Sequence, residues 1–304
     1  LRGAAALQPG ASAALLQGDG LWGGAIPRSG GLCQQCHQPA FVSRPQCCGS
    51  AAYSDVFRRA VGVESIGGGI MRLCVIPARG GSKRVPRKNI RLFRGKPMIA
   101  WSIEAAKFSQ CFDLIVVSTD DSEIAKVSRS WGATVPFMRP THLANDYQGT
   151  APVVLHAIEW CIANKLEPKE VCCLYATAPF VSGVDIRRGM KMLAGAGPDQ
   201  FVFTATNYAS PIQRALLIDN ESNISQMREP DSYEKRSQDL ARTYHDAAQF
   251  YWGRPRAWRG MKNIFNGSKA LILPRWRVQD IDTEEDWRLA ELMHRASDLV
   301  SEST

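Results

Sequence analysis

From Met71 onward, short apolar runs alternate with segments of helical spacing, and this alternation restricts the fold more than any other feature. Residues 73–76, 112–118, 134–138, 170–175, 200–206, 215–218 and 270–273 read as strands. Between them, residues 97–108, the stretch after Asp121, residues 151–164 and 183–193, and finally 284–296 carry helical periodicity. Pro97 suits a first-turn position, Asp120, Asp121 or Ser122 suits the cap of the next helix, and Gly132 suits its end. Strands separated by helices imply right-handed crossovers. The expected fold class is therefore α/β, a mainly parallel sheet with helices on both faces. Ligands of such sheets bind beyond the carboxyl ends of the strands. That places the loops after the first strand, Ser118, Met138, Tyr175 and Thr206 on the binding edge. The polar segment 207–249 reads as an excursion from the sheet.

The loop after the first strand is the most charged. Arg79, Lys83, Arg84, Arg87 and Lys88 surround Gly80, Gly81 and Ser82, and Asn89 closes the run. Glycines let backbone N–H groups approach an anion, and Lys and Arg supply opposing charge, so the loop reads as a polyphosphate cradle. It lacks the spacing of a Walker A loop. A solvated basic turn is the alternative. Asp120 admits two roles, metal ligand or helix cap.

A second stretch carries chemistry. Asp280 and Asp282 bracket Ile281. In extended backbone such residues share a face at about 6–7 Å, with the middle side chain turned away. Two carboxylates so placed suit a hard cation such as Mg²⁺, which commonly takes one or two carboxylates together with substrate phosphates. Thr283 with Asp286 reads as a box-like helix start, which leaves Asp280 unexplained.

The 304 residues allow one large domain or two smaller ones. A net charge of +8 suits an anionic ligand, but it is spread thinly, without a pattern that points to nucleic acid. No apolar run is long enough for a membrane span. Nine scattered cysteines, including the pairs Cys47-Cys48 and Cys172-Cys173, lead us to expect a reducing, cytoplasmic compartment. The first 70 residues are rich in Gly, Ala, Ser and Gln and hold only three acidic residues. They contain Cys33, Cys36 and His37 in the C-x-x-C-H pattern of haem attachment, and with Cys47 and Cys48 a zinc reading is also open. The stronger reading is a tail outside the fold, 1–70, disordered or translated from upstream of the true start. Residues 71–304 then form the folded domain.

The segment Ile76-Pro-Ala-Arg-Gly-Gly-Ser-Lys-Arg-Val-Pro-Arg-Lys-Asn89 resembles the signature of the CMP-sialic acid synthetases, the nonulosonate cytidylyltransferases. Ser118-Thr-Asp-Asp121, Arg139-Pro140 with Leu143, Ala144 and Asp146, and Asp280-Ile-Asp282 follow in that family's order and spacing. Where most members carry a Gln that helps bind sialic acid, this chain has Tyr175-Ala-Thr-Ala-Pro179. The segments around Gln213, Arg236 and Tyr244 are similar to the family's pseudaminic acid branch. The resemblance implies a Rossmann-like fold of the nucleotide-diphospho-sugar transferase type. It also implies CMP transfer from CTP to the anomeric hydroxyl of a nine-carbon sugar acid, pseudaminic acid, with release of pyrophosphate. Arg79, Gly81, Ser82, Lys83 and Lys88 would then hold the triphosphate, with Asn89 and Arg139 at the cytosine and ribose. Asp280 and Asp282 would bind Mg²⁺ and, with Arg79 and Lys88, serve catalysis. Gln213, Arg236, Tyr244, Asp246 and Gln249 would meet the sugar, with His245 as a hydrogen-bonding neighbour. A homodimer built on the excursion is implied as well, and Phe250, Tyr251 and Trp252 are either part of that interface or strand core.

Overall fold

The computed structural model of the chain describes residues 70–145, 149–227, 233–260 and 263–302. Residues 1–69 of the expected tail, with Cys33, Cys36, His37, Cys47 and Cys48, lie outside the described residues, as does Asp146.

Strand β1 (Arg72–Pro77) shows why the sheet is an interior one. Leu73, Cys74, Val75 and Ile76 are all 0 % exposed, so both faces of the strand are covered. Its neighbours are β4 (Leu114–Ser118) and β5 (Glu170–Leu174), both parallel to it. Farther along lie β6 (Val202–Asn207), β9 (Tyr244–Gly253) and the edge strand β10 (Lys269–Ile272). The order across the sheet is β10-β6-β9-β5-β1-β4. Only β9 runs antiparallel, between β5 and β6.

Side chains alternate across the sheet. Cys74, Ile76, Cys172, Leu174, Phe250 and Trp252 pack on one face, under α1 (Met98–Ser109) and α4 (Gly183–Ala194). Leu73, Val75, Val171, Cys173 and Tyr251 pack on the other, under α3 (Thr150–Ala163) and α5 (Pro255–Arg259). A third, smaller cluster joins Val85, Phe93, Met98, Phe180, Ile281, Trp287 and Ala290. It ties the charged loop to α6 (Glu284–Glu302) and to the Asp-Ile-Asp stretch.

Three local readings change. Pro97 is the residue before α1 rather than within its first turn, because it closes a small hairpin, β2 (Leu92–Phe93) with β3 (Lys96–Pro97). The turn between them, Arg94 at φ 52° and Gly95 at φ 87°, has the primed geometry that matches strand twist. Residues 134–138 make only two isolated bridges beside β4, since Pro136 brings no N–H to a ladder. The excursion ends earlier than expected. Tyr244 already begins β9, and Phe250, Tyr251 and Trp252 are strand core, each 4 % exposed or less. Among the described residues, what leaves the sheet is 208–227 and 233–243, with a two-stranded ribbon, β7 (Leu216–Ile218) and β8 (Ile224–Gln226).

Expected helix α2 (Ser122–Ser130) is capped by Asp121, whose Oδ1 accepts the N–H groups of Glu123 and Ile124, both at 2.9 Å. Gly132 follows its end at φ 92°. Thr283 and Asp286 start α6 as a reciprocal pair: the Asp286 N–H donates to Thr283 Oγ1 at 3.2 Å, and the Thr283 N–H donates to Asp286 Oδ2 at 2.8 Å.

Candidate active site

The loops leaving β1 and β5, the start of α3 and the stretch beyond β10 meet around one cleft. It encloses about 290 Å³, and Arg79, Ser82, Lys83, Arg84, Lys88, Asn89, Arg139 and Asp282 are among its walls. Tyr175, Thr150 and Thr177 line it too.

The charged loop is held by its neighbours. The Gly80 N–H donates to Asp120 Oδ1 at 3.0 Å, so Asp120 fixes the loop and caps nothing. Asn89, 6 % exposed, donates from Nδ2 to the Arg79 carbonyl at 2.9 Å and closes the loop from inside. Arg87 sits at φ 55°, a conformation that costs a non-glycine residue free energy. Its guanidinium pairs with Asp121 at 2.5 Å and with Glu123, which anchors the loop to the first turn of α2. Beyond Gly81 there is open space, with nothing within 4 Å of where a Cβ would stand. Backbone there is free to meet a ligand closely.

Arg139 lies across the floor, 7 % exposed. Its Nε donates to Ser118 Oγ at 3.1 Å and its Nη2 donates to the Ser118 carbonyl. Burial pushes its pKa down to about 10, opposed by Asp120 and assisted by Arg79, and leaves the guanidinium charged at neutral pH.

Ile281 is fully buried in the third cluster, and this turns the carboxylates on either side of it outward. Asp282 reaches the cleft and pairs with Arg84 at 2.8 Å and with Lys88 at 3.4 Å. Lys88 Nζ also donates to the Ile281 carbonyl. Asp280 is exposed and stands outside the lining. Protein crowding its carboxyl, then the charge of Asp282, pushes its pKa up, while Lys88 pulls it back.

The residues expected at the sugar fall into two groups. Tyr244 lines a second cavity of about 500 Å³ at the root of the excursion, with Tyr208, Leu240 and Arg242. Gln213 donates from Nε2 to the carbonyl of Ala241, another wall residue. Arg236 begins the short turn Ser237–Asp239 nearby and is exposed. Asp246 and Gln249 lie on β9 and are walls of neither cavity. The Gln249 carbonyl accepts the Tyr175 N–H at 2.9 Å, and its side chain donates to the Arg277 carbonyl at 2.7 Å. Gln249 is 3 % exposed, and its Oε1 has no hydrogen-bond partner among the described residues. His245 bonds through Nδ1 to the Asp246 carbonyl at 2.8 Å, as expected of a neighbour.

Sequence reasoning passed over Arg84 as a site residue, and Tyr175 and Thr150 with it. Gly149 directly before an apolar helix was the available signal for Thr150, since a helix N-terminus offers free N–H groups. The segment from Tyr175 stood out only as a departure from the family's Gln, and the partners of Tyr175 itself come from α3 and β9.

A family model described as cytidylyltransferase matches residues 73–259. A pseudaminic acid cytidylyltransferase of Campylobacter jejuni is 44% identical over 226 residues, 74% of this chain and 97% of that protein. A CMP-N,N'-diacetyllegionaminic acid synthase of Legionella pneumophila is 42% identical over a shorter stretch of 120 residues, 40% of this chain and 52% of that protein. Among solved structures, a CMP:2-keto-3-deoxy-manno-octonic acid synthetase complexed with CTP superposes with a TM-score of 0.54. At 16% identity, covering 75% of this chain and 99% of the other, that likeness establishes the fold.

Proposed function

Because the chain belongs to the cytidylyltransferase family and is a nucleotidyltransferase, we propose that it transfers CMP from CTP to the anomeric hydroxyl of pseudaminic acid, releasing pyrophosphate. The observation that carries this reading is the convergence of loop cations, Arg139 and Asp282 on one cleft. The reading of pseudaminic acid is supported by the Campylobacter relative, which this chain matches along nearly its whole length.

CTP carries about four negative charges and a sugar acid one more, so their approach is repulsive unless screened. Arg79, Lys83 and Lys88 supply opposing charge, and Ser82 with the backbone around Gly81 supplies donors. Arg139, rigid on Ser118, would orient the nucleoside end together with Asn89. The donor set suits a divalent cation in its chemistry, two carboxylates that flank a buried Ile281, of which Asp282 reaches cationic partners inside the cleft. Asp280 and Asp282 would hold Mg²⁺, which when bound supplies charge neutralisation at the phosphates. The protein's part is then positioning and electrostatic preorganisation for in-line attack on the α-phosphorus. Gln249 offers the sugar an unpartnered buried oxygen; Gln213, Arg236 and Tyr244 offer donors around the second cavity.

We read the enzyme as a homodimer through the excursion, whose ribbon exposes Leu216, Leu217, Ile218 and Ile224. A cytoplasmic location agrees with the five cysteines among the described residues, all buried and unpaired. No helix among the described residues is long and apolar enough to cross a membrane.

The test is a substrate panel. Protein, Mg²⁺ and each nucleoside triphosphate are incubated with pseudaminic, sialic, legionaminic and eight-carbon sugar acids while pyrophosphate is followed. Release is expected with CTP and pseudaminic acid. Release with another sugar acid alone would move the assignment, and none from CTP with any of them would end it.

A further inference from the structure

Asp282 meets two cations of the charged loop, one on each oxygen. The Arg84 guanidinium lies 2.8 Å from Oδ2, and Lys88 Nζ lies 3.4 Å from Oδ1. Arg84 is the freer of the two. Its side chain is 66% exposed, so the ion pair rather than packing sets its position. The Lys88 side chain is 19% exposed, and its Nζ also donates to the Ile281 carbonyl.

The charge balance of the cleft shows what this pair can do. Its walls hold five cationic side chains, Arg79, Lys83, Arg84, Lys88 and Arg139, against the one carboxylate of Asp282, which leaves four positive charges. A nucleoside triphosphate brings about four negative charges and balances them. A divalent cation entering alone is repelled by the same walls, and it must compete with Arg84 for Asp282 Oδ2. Once a triphosphate is in the cleft, Arg84 has a second partner. A guanidinium meets phosphate oxygens with two parallel, charge-assisted hydrogen bonds, and its exposed side chain is free to turn to them. The move takes one positive charge off Asp282 at the moment the phosphates arrive.

We propose that Arg84 is an exchangeable cation, which neutralises Asp282 in the place of a metal ion, passes to the triphosphate when CTP enters, and so couples metal binding to nucleotide binding. Arg84 is thereby a binding residue for the phosphates, and divalent metal loads with or after CTP rather than before it. This assignment rests on the reading of Asp282 as a metal ligand and adds the order in which the site fills.

The test uses Mn²⁺ as probe, followed by loss of its free-ion signal in electron paramagnetic resonance. It is titrated into the full-length protein alone and into protein loaded one-to-one with α,β-methylene-CTP. Arg84→Gln removes the charge at an exposed position. Without nucleotide, this variant should bind Mn²⁺ about fivefold more tightly than wild type or better, the scale of one exposed ion pair together with one nearby like charge. With the analogue the advantage should shrink to within about twofold, because Arg84 of the wild type has then left Asp282. By reciprocity, the gain in analogue affinity that Mn²⁺ brings should be smaller in the variant by the same factor. Arg84→Ala is the second variant and should repeat both results. An unchanged Mn²⁺ affinity would overturn the proposal. So would equal tightening with and without the analogue, which marks a fixed charge and not one that moves; either result leaves the metal reading standing. A wild type that binds no Mn²⁺ even with the analogue, or an Asp282→Asn variant that binds it as well as wild type, would remove the metal reading beneath the proposal, and the proposal with it.

Discussion

Lys88 Nζ lies 3.4 Å from Asp282 Oδ1, which links the loop after β1 to the stretch after β10 across 194 positions of sequence. Arg84 takes the other oxygen of Asp282 at 2.8 Å. The loop thus neutralises the carboxylate; in the proposed complex with CTP, Lys88 would turn to the phosphates instead.

Asp282→Ala should therefore separate activity from stability. The Asp282 side chain is 44% exposed and Arg84 66%, so the lost pairs should change the unfolding free energy by less than about 1 kcal/mol. Turnover should fall about 100- to 1,000-fold, the scale of removing one electrostatic element from a transition state. Pyrophosphate release and urea denaturation measure the two. Chelation of divalent cations should silence the wild type and added Mg²⁺ restore it; near-normal rates in Asp282→Ala would remove its metal role.

Two adjacent glycines should behave differently. A Cβ at Gly80 would come within 2.8 Å of Asp121 Oδ2 and 3.0 Å of Asp121 Cβ, where the side chain is tied to the cap of α2. Gly80→Ala should lower the melting temperature and raise the KM for CTP about tenfold, through loss of loop anchorage. Gly81→Ala meets nothing in the protein within 4 Å, so stability should hold while CTP binding weakens where the methyl blocks the phosphate. Equal melting temperatures in the two variants would contradict this.

Asp185 ties the start of α4 to the stretch after β10. It accepts hydrogen bonds from Ser182 at 2.7 Å, Arg188 at 3.0 Å and Arg277 at 2.5 Å, and the Arg277 carbonyl holds Gln249. Burial pushes the Asp185 pKa up, but the bonds from Ser182 and Arg277 outweigh it and leave the pKa below its ordinary value. A carboxyl depressed in the folded state adds stability above its unfolded pKa, and this is lost as pH falls through the folded one. Asp185→Asn should cost about 3 kcal/mol near pH 7. The gap to wild type should close in acid, below the usual carboxylate range. Urea titrations at neutral pH and near pH 3 measure it, and a gap independent of pH would refute the ionic origin.

What could be read from sequence follows how each part is stabilised. β1, β4 and β5 stood out because strands covered on both faces are continuous apolar runs. β9 did not, because it opens on Tyr244, His245 and Asp246 and is interrupted by the bulge at Ala248. The cationic loop and Asp282 were legible as charge density in a few residues. Arg84 as partner of Asp282, Asp120 as holder of Gly80, and the Thr150–Tyr175 bond were not, because each joins residues distant in sequence through packing. The apolar middle residue Ile281 was read as turned away, and it is fully buried in the third cluster.

The ribbon of β7 and β8 gives the last prediction. Leu216 is 50% exposed, Leu217 53%, Ile218 68% and Ile224 64%, so neighbouring residues of one strand are open on both of its faces. A two-stranded ribbon has no core of its own and is marginal in water unless something covers it. An apolar patch of this kind on a protein surface marks an association site. A second copy of the chain meets the need, so sedimentation velocity at micromolar concentration should show a dimer. Leu217→Glu with Ile218→Glu should shift it to monomer while the melting temperature of the sheet, measured after dilution, changes little. A wild type that sediments as a monomer under these conditions would refute the dimer.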